Sequence, residues 1–137
     1  MIVGLGKAAK LASAYLGDQH SAAEPRDHCR LRDLFWDKLR ATFGERVLLN
    51  GHPSLRLPST LSVSFPGHIG GEILDRLDGV CASTGAACHA GDTKPSHVLT
   101  AMGFNETRSA GTIRFSLGRP TTESEIEQVV AGLARIL

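Results

Sequence analysis

"GTIRFSLG" (111–118) decides the fold class. Ile113, Phe115 and Leu117 fall on one side of an extended chain, and Thr112, Arg114 and Ser116 on the other. A period of two, with an apolar and a polar side, predicts a strand with one buried face. Arg114 is then a cation that leaves the sheet on the side opposite the core. "LSVSF" (61–65) repeats the pattern, with Leu61, Val63 and Phe65 alternating with serines. Two half-buried strands separated by helical sequence predict helices packed on the apolar face of a small sheet.

Outward from the strands the period lengthens. Ile126, Val129, Val130, Leu133 and Leu137 form the buried stripe of a final helix. Thr122-Glu123-Ser124-Glu125 fits a capping box at its start. Residues 27–43 predict another helix, with Leu31, Leu34, Phe35, Leu39 and Phe43 on one stripe. Arg30, Arg32, Asp33, Asp37 and Lys38 fall largely off it. Residues 2–16 place Leu5, Ala8, Ala9, Ala12, Tyr15 and Leu16 at helical spacing, and Gly17 and Pro25 mark the break that follows. Gly70 and Gly71 lead into a short helix carrying Ile73, Leu74 and Leu77, with Gly79 after it. "VCAS" (80–83) reads as a short strand. Pro95 suits the first turn of another short helix that Gly103 closes. The polar stretch 104–110 reads as a mobile loop. The order α-α-β-α-β-α-β-α predicts an α+β domain, a three- to four-stranded sheet with helices on one face.

The bulk numbers set limits. A chain of 137 residues is one domain with room for a core. A net charge of +1 gives no reason to expect nucleic acid or an acidic membrane as partner. No apolar run is long enough to span a bilayer. Lys7 and Lys10 interrupt what would be the apolar region of a secretion signal. Cys29, Cys81 and Cys88, three at irregular spacing, argue against a disulfide framework and for a reducing, cytoplasmic compartment. Asn105-Glu106-Thr107 then matches the glycosylation pattern by chance.

Cys88 is the thiol that raises a question. It stands in "STGAACHAG" (83–91) among small residues, with His89 beside it. A free cysteine is usually a small apolar filler. On an exposed loop, with His89, Lys94 and His97 favouring the thiolate, it would be a nucleophile. Composition and spacing leave both readings open. Cys81, in the apolar strand, is expected to pack in the core, and Cys29 needs no function. Cys81, Cys88, His89 and His97 lack the paired spacing of a zinc site, so no metal is expected. Arg114 is either a solvated or structurally paired cation, or a planar fork for a carboxylate. Arg119 is expected to serve the turn after the strand.

Taken in order, "GLGKAAKLA" (4–12), "LPSTLSVSF" (57–65), "GGEILDRLDGVCASTGAACHAG" (70–91), "KPSHVLTAMG" (94–103) and "TIRFSLGRPTTESEI" (112–126) resemble the C-terminal part of the cysteine desulfurase and selenocysteine lyase family. These are pyridoxal-phosphate-dependent enzymes of the class V aminotransferase type. "GAACH" (85–89) resembles the selenocysteine lyases more than the desulfurases, so the first expectation is a selenocysteine lyase and the alternative a cysteine desulfurase. The resemblance implies that residues 1–137 are one C-terminal small domain, with 1–44 a helical lead-in and 57–137 an α/β layer holding the cysteine loop at 83–94. It implies that Cys88 takes or releases the substrate's sulfur or selenium, that Arg114 binds the amino-acid substrate's α-carboxylate, and that His89 contributes from the loop.

The same resemblance implies pieces not found in this sequence. The pyridoxal phosphate lysine domain is absent, and none of Lys7, Lys10, Lys38 and Lys94 stands in the family's lysine context. No cofactor is therefore expected on this chain alone, and the chain alone is expected to be inactive. Ser59 and Ser62 stand where the family often has asparagine. Association as a homodimer is expected, since apolar surface made for the missing domain would be exposed. A non-catalytic, partner-binding homologue of the same domain is a competing reading. A Cys/His hydrolase is a third, for which no oriented acid or oxyanion hole is marked.

Overall fold

The two alternating stretches pair with each other. In the computed structural model, which describes residues 2–17, 25–85 and 96–137, strand β2 (Thr60–Ser64) runs antiparallel to β3 (Thr112–Ser116), with Leu61 opposite Phe115 and Val63 opposite Ile113. The four side chains are buried. A two-residue strand, β1 (Leu48–Leu49), pairs antiparallel on the far side of β2, giving a three-stranded sheet in the order β1-β2-β3. β1 was not foreseen, because two residues carry no readable period.

Helices α1 (Ile2–Gly17), α2 (Pro25–Phe43), α3 (Gly70–Asp75), α4 (His97–Ala101), α5 (Glu106–Ala110) and α6 (Glu123–Ile136) complete the order. α2 starts on Pro25, which needs no intrahelical N–H there. It lays Leu31, Phe35, Leu39 and Phe43 on the apolar face of the sheet, and α6 adds Ile126, Val130 and Leu133. The Phe35 and Phe115 rings meet edge to face at 4.9 Å, as do Phe43 and Phe65 at 5.4 Å. The capping box forms as read: Glu125 N–H donates to Thr122 Oγ1 at 3.3 Å and Thr122 N–H donates to Glu125 Oε2 at 2.8 Å. Surface ion pairs from Arg30 to Glu123 and from Lys38 to Glu127 join α2 to α6.

Four expectations are corrected, and α1, a helix as read, stands apart. The described apolar face of α1 packs on nothing: Ile2, Val3 and Leu5 are exposed, and so are Ala8, Ala9 and Ala12. Helical spacing made a helix there, but no other described element lies over it. Arg32 is 5% exposed. Its Nη1 donates to the Leu57 carbonyl at 2.9 Å and its Nε to Asp33 Oδ1 at 2.9 Å, while Arg56 Nη2 reaches the same Asp33 oxygen at 3.0 Å. The segment before β2 folds over a residue that the stripe put outside.

"VCAS" is not a strand, and within it only Ser83 bridges to β3. Cys81 is consequently exposed rather than packed. Residues 106–110 are helical rather than loop, because Asn105 Oδ1 caps the turn by accepting from Arg108 N–H at 2.9 Å. Gly103 ends α4 as expected, with φ of 78°. Phe104 N–H donates to Leu99 O and Gly103 N–H to Thr100 O, the paired bonds of a Schellman end.

Two glycines let the layers touch. A Cβ on Gly70 would lie against the Thr112 carbonyl, and one on Gly111 against the Phe65 carbonyl. The start of α3 and the chain entering β3 therefore approach the sheet backbone more closely than a side chain allows. Among the described residues no helix is long and apolar enough to cross a membrane.

Candidate functional site

The side chains opposite the core form a polar face. Ser62 and Ser64 from β2 and Thr112 and Arg114 from β3 share it, since the register sets Ser62 against Arg114 and Ser64 against Thr112. Asn50 extends the β1 side, its N–H donating to Ser62 O at 2.9 Å. On the outer edge, Arg114 N–H donates to Ser83 O at 2.7 Å and Ser83 N–H donates to Arg114 O at 3.1 Å. Asn50, Ser62, Arg114 and Ser83 thus form one row across the sheet. Arg114 is exposed in the middle of it, so its fork is open to an anion.

Ser83 begins the segment that carries the cysteine. Its Oγ donates to Gly85 O at 2.8 Å and accepts from Gly85 N–H at 3.2 Å, a local turn that fixes the departure of the chain. Cys88, His89 and Lys94 lie outside the described residues. His97, named beside them as a group that would favour the thiolate, is the exposed first residue of α4.

Sequence reading missed Asn50 and Arg108. Asn50 is buried. Its Nδ2 donates to Ser64 Oγ at 2.9 Å and reaches Ser62 Oγ at 3.3 Å, and Ser64 Oγ meets Thr112 Oγ1 at 2.8 Å. Arg108, half-buried on α5, donates from Nη2 to Leu49 O at 2.8 Å and from Nε and Nη2 to Asn50 Oδ1 at 3.2 and 3.1 Å. The one signal that could have found this network was Asn105, a helix cap placed three residues before Arg108.

Cys81 opens into a different place, a groove of about 800 Å³ between α6 and residues 76–81, lined by Leu77, Val80, Leu117, Val129 and Arg135. The turn after β3 is closed by Thr121, whose Oγ1 accepts from Gly118 N–H at 2.9 Å, with Arg119 exposed inside it. Among the described residues no three of the His, Cys, Asp and Glu side chains come together as metal ligands.

The described lysines do not fit a pyridoxal phosphate site. Lys7 and Lys10 lie on the exposed surface of α1, Lys38 pairs with Glu127, and no lysine lines the groove.

Comparison with known proteins adds a family. The model of the family described as aminotransferase class-V matches residues 1–129. The chain belongs to the aminotransferase class-V family. Among curated relatives of this class-V chain, a cysteine desulfurase of Trichormus azollae is 41% identical over 138 residues, covering 99% of the chain and 33% of the relative. The cysteine desulfurase IscS of Aeromonas salmonicida is 36% identical over 129 residues, covering 94% of the chain and 30% of the relative. A NifS-like protein from Rickettsia africae superimposes with a TM-score of 0.75 at 27% identity, over 92% of the chain and 32% of its own.

The class-V chain therefore spans about a third of the length of these relatives. The two curated relatives are named cysteine desulfurases, not selenocysteine lyases. The expectation drawn from "GAACH" gives way to its alternative, because a five-residue likeness is outweighed by identity along the whole chain.

Proposed function

We propose that this class-V chain is the C-terminal small domain of a cysteine desulfurase-type enzyme. In this reading Arg114 grips the α-carboxylate of a cysteine substrate, and Cys88 accepts the sulfur. The observation that carries it is the backbone pairing of Arg114 with Ser83. The strand bearing the carboxylate fork is tied to the residue from which the cysteine segment departs. His89 is assigned a supporting role beside Cys88. Pyridoxal phosphate belongs to the longer enzyme in this proposal, and none of the described lysines is placed to hold it. Assembly as a homodimer is part of the same reading.

The test is Arg114→Lys in the longer enzyme. An ammonium cannot make the two parallel bonds of a guanidinium. The expected loss in kcat/KM for cysteine corresponds to about 2–5 kcal/mol, mostly through KM. Unchanged kinetics would remove Arg114 from the substrate. Cys88→Ser is expected to abolish sulfur transfer. A second reading, selenocysteine as preferred substrate, rests on "GAACH" (85–89), and the ratio of kcat/KM for the two amino acids tests it.

A further inference from the structure

Arg108 carries its charge into a network of neutral groups. Its fork is spent on Leu49 O and Asn50 Oδ1, and its guanidinium carbon lies 3.7 Å from the centroid of the Phe104 ring. Among the described residues no carboxylate completes the network. A neutral donor could tie Leu49 and Asn50 together without the cost of half-burying a cation. What a neutral donor lacks is a field. Asn50 stands at one end of the row that continues through Ser62 to Arg114, two strand spacings or about 10 Å away.

We propose that Arg108 is the second positive charge of the Arg114 site, a positioning residue that touches no substrate but draws a carboxylate to the polar face. Asn50 is its mount: Oδ1 faces Arg108, and Nδ2 reaches Ser62 in the row and Ser64 beside it. This inference rests on the reading of Arg114 as the carboxylate fork and adds a source for the attraction. The long-range part comes from a charge held rigidly by α5 and β1, and Arg114 makes the contact.

The experiment uses two arginine reagents on the folded 137-residue chain, phenylglyoxal and a phenylglyoxal bearing a carboxylate. Modification is mapped by mass spectrometry at Arg114, with the exposed Arg40 and Arg76 as references. The ratio of the anionic to the neutral rate at one residue reports the local enrichment of anions and cancels differences in exposure. Asn50→Asp leaves acceptors for Arg108 and adds a negative charge; Arg108→Met removes the positive one. Each is expected to lower the ratio at Arg114 roughly twofold at low salt, the effect of one unit charge about 10 Å or more away from a solvent-exposed site. Arg108→Lys is expected to stay near the parent value, and the references are expected not to move.

A merely structural network would leave the ratio at Arg114 unchanged in both variants, and that result overturns the proposal. So does Arg108→Lys falling as far as Arg108→Met. If one variant fails to fold, seen as fast labelling of every arginine, the other decides. Failure of the carboxylate reading itself shows elsewhere, as unchanged cysteine kinetics in Arg114→Lys.

Discussion

Arg114 and Ser83 exchange both of their backbone hydrogen bonds, at 2.7 and 3.1 Å, although no strand surrounds Ser83. This one pair fastens the sheet edge to the segment leading toward Cys88. Ser83→Pro removes the donor to Arg114 O and costs about 1–3 kcal/mol. Hydrogen exchange at the Arg114 amide is expected to accelerate while the Leu61 and Val63 amides keep their protection. Unaltered exchange at Arg114 would mean that the edge holds without Ser83.

Cys81 and Cys29 are expected to differ in reactivity. Cys81 is exposed at the mouth of a groove, and Cys29 is half-buried on α2. Alkylation of the folded chain, mapped by mass spectrometry, is expected to label Cys81 first of the two. Under the nucleophile reading Cys88 labels at least as fast as Cys81. A slower Cys88 would count against that reading.

Two neighbouring glycines give opposite outcomes. Gly70→Ala drives a methyl into the Thr112 carbonyl, with Thr84 Cγ2 3.2 Å away, so backbone must move; a loss above about 2 kcal/mol is expected in urea denaturation. Gly71→Ala meets open space inside the same helix and is expected to stabilise by about 0.5–1 kcal/mol. Equal effects would show that the close approach of α3 to β3 is wrong.

Thr122→Ala removes the side chain that accepts the Glu125 N–H at the start of α6. The expected cost is about 1 kcal/mol. Since α6 carries Ile126, Val130 and Leu133 into the core, the loss is expected in global stability and not only in fraying of the helix end.

Ile2, Val3, Leu5 and Leu11 leave α1 with an uncovered apolar surface. Self-association is expected to grow with concentration. Light scattering checks it: Leu5→Lys with Leu11→Lys should shift the chain toward monomer, and a parent chain monomeric at high concentration would contradict the expectation.

What could be read from the sequence was what depends on period. Leu61, Val63, Phe65, Ile113 and Phe115 alternate, and the stripes of α2 and α6 repeat at helical spacing, so strands, helices and most of the core followed. Arg114 followed too, as the one cation on the polar side of a strand. Features made by a single tertiary bond were not legible. Asn50 is an ordinary loop asparagine until Ser62, Ser64 and Arg108 surround it. Cys81 sits in an apolar run, yet only Ser83 of that run reaches β3, so the sulfur is left outside. α1 shows the converse, since its spacing is right and the surface it would bury against is not among the described elements.

The pairing of Ser64 with Thr112 spans 48 residues of chain. No short peptide contains the row from Asn50 to Ser83 through Arg114, and the routes that bring Arg114 into it close long loops before contacts repay the lost entropy. That topology gives the site a high contact order and sets its assembly among the slower steps of folding. The helical contacts within α2 and α6 are local and can form early. Conservative truncations at Val63 and Ile113 should then change the unfolding rate more than the folding rate, while truncations inside α2 should do the reverse. Arg114 would acquire its place between two serines only as the domain finishes folding, so any partly folded form of this chain would carry the guanidinium without the site.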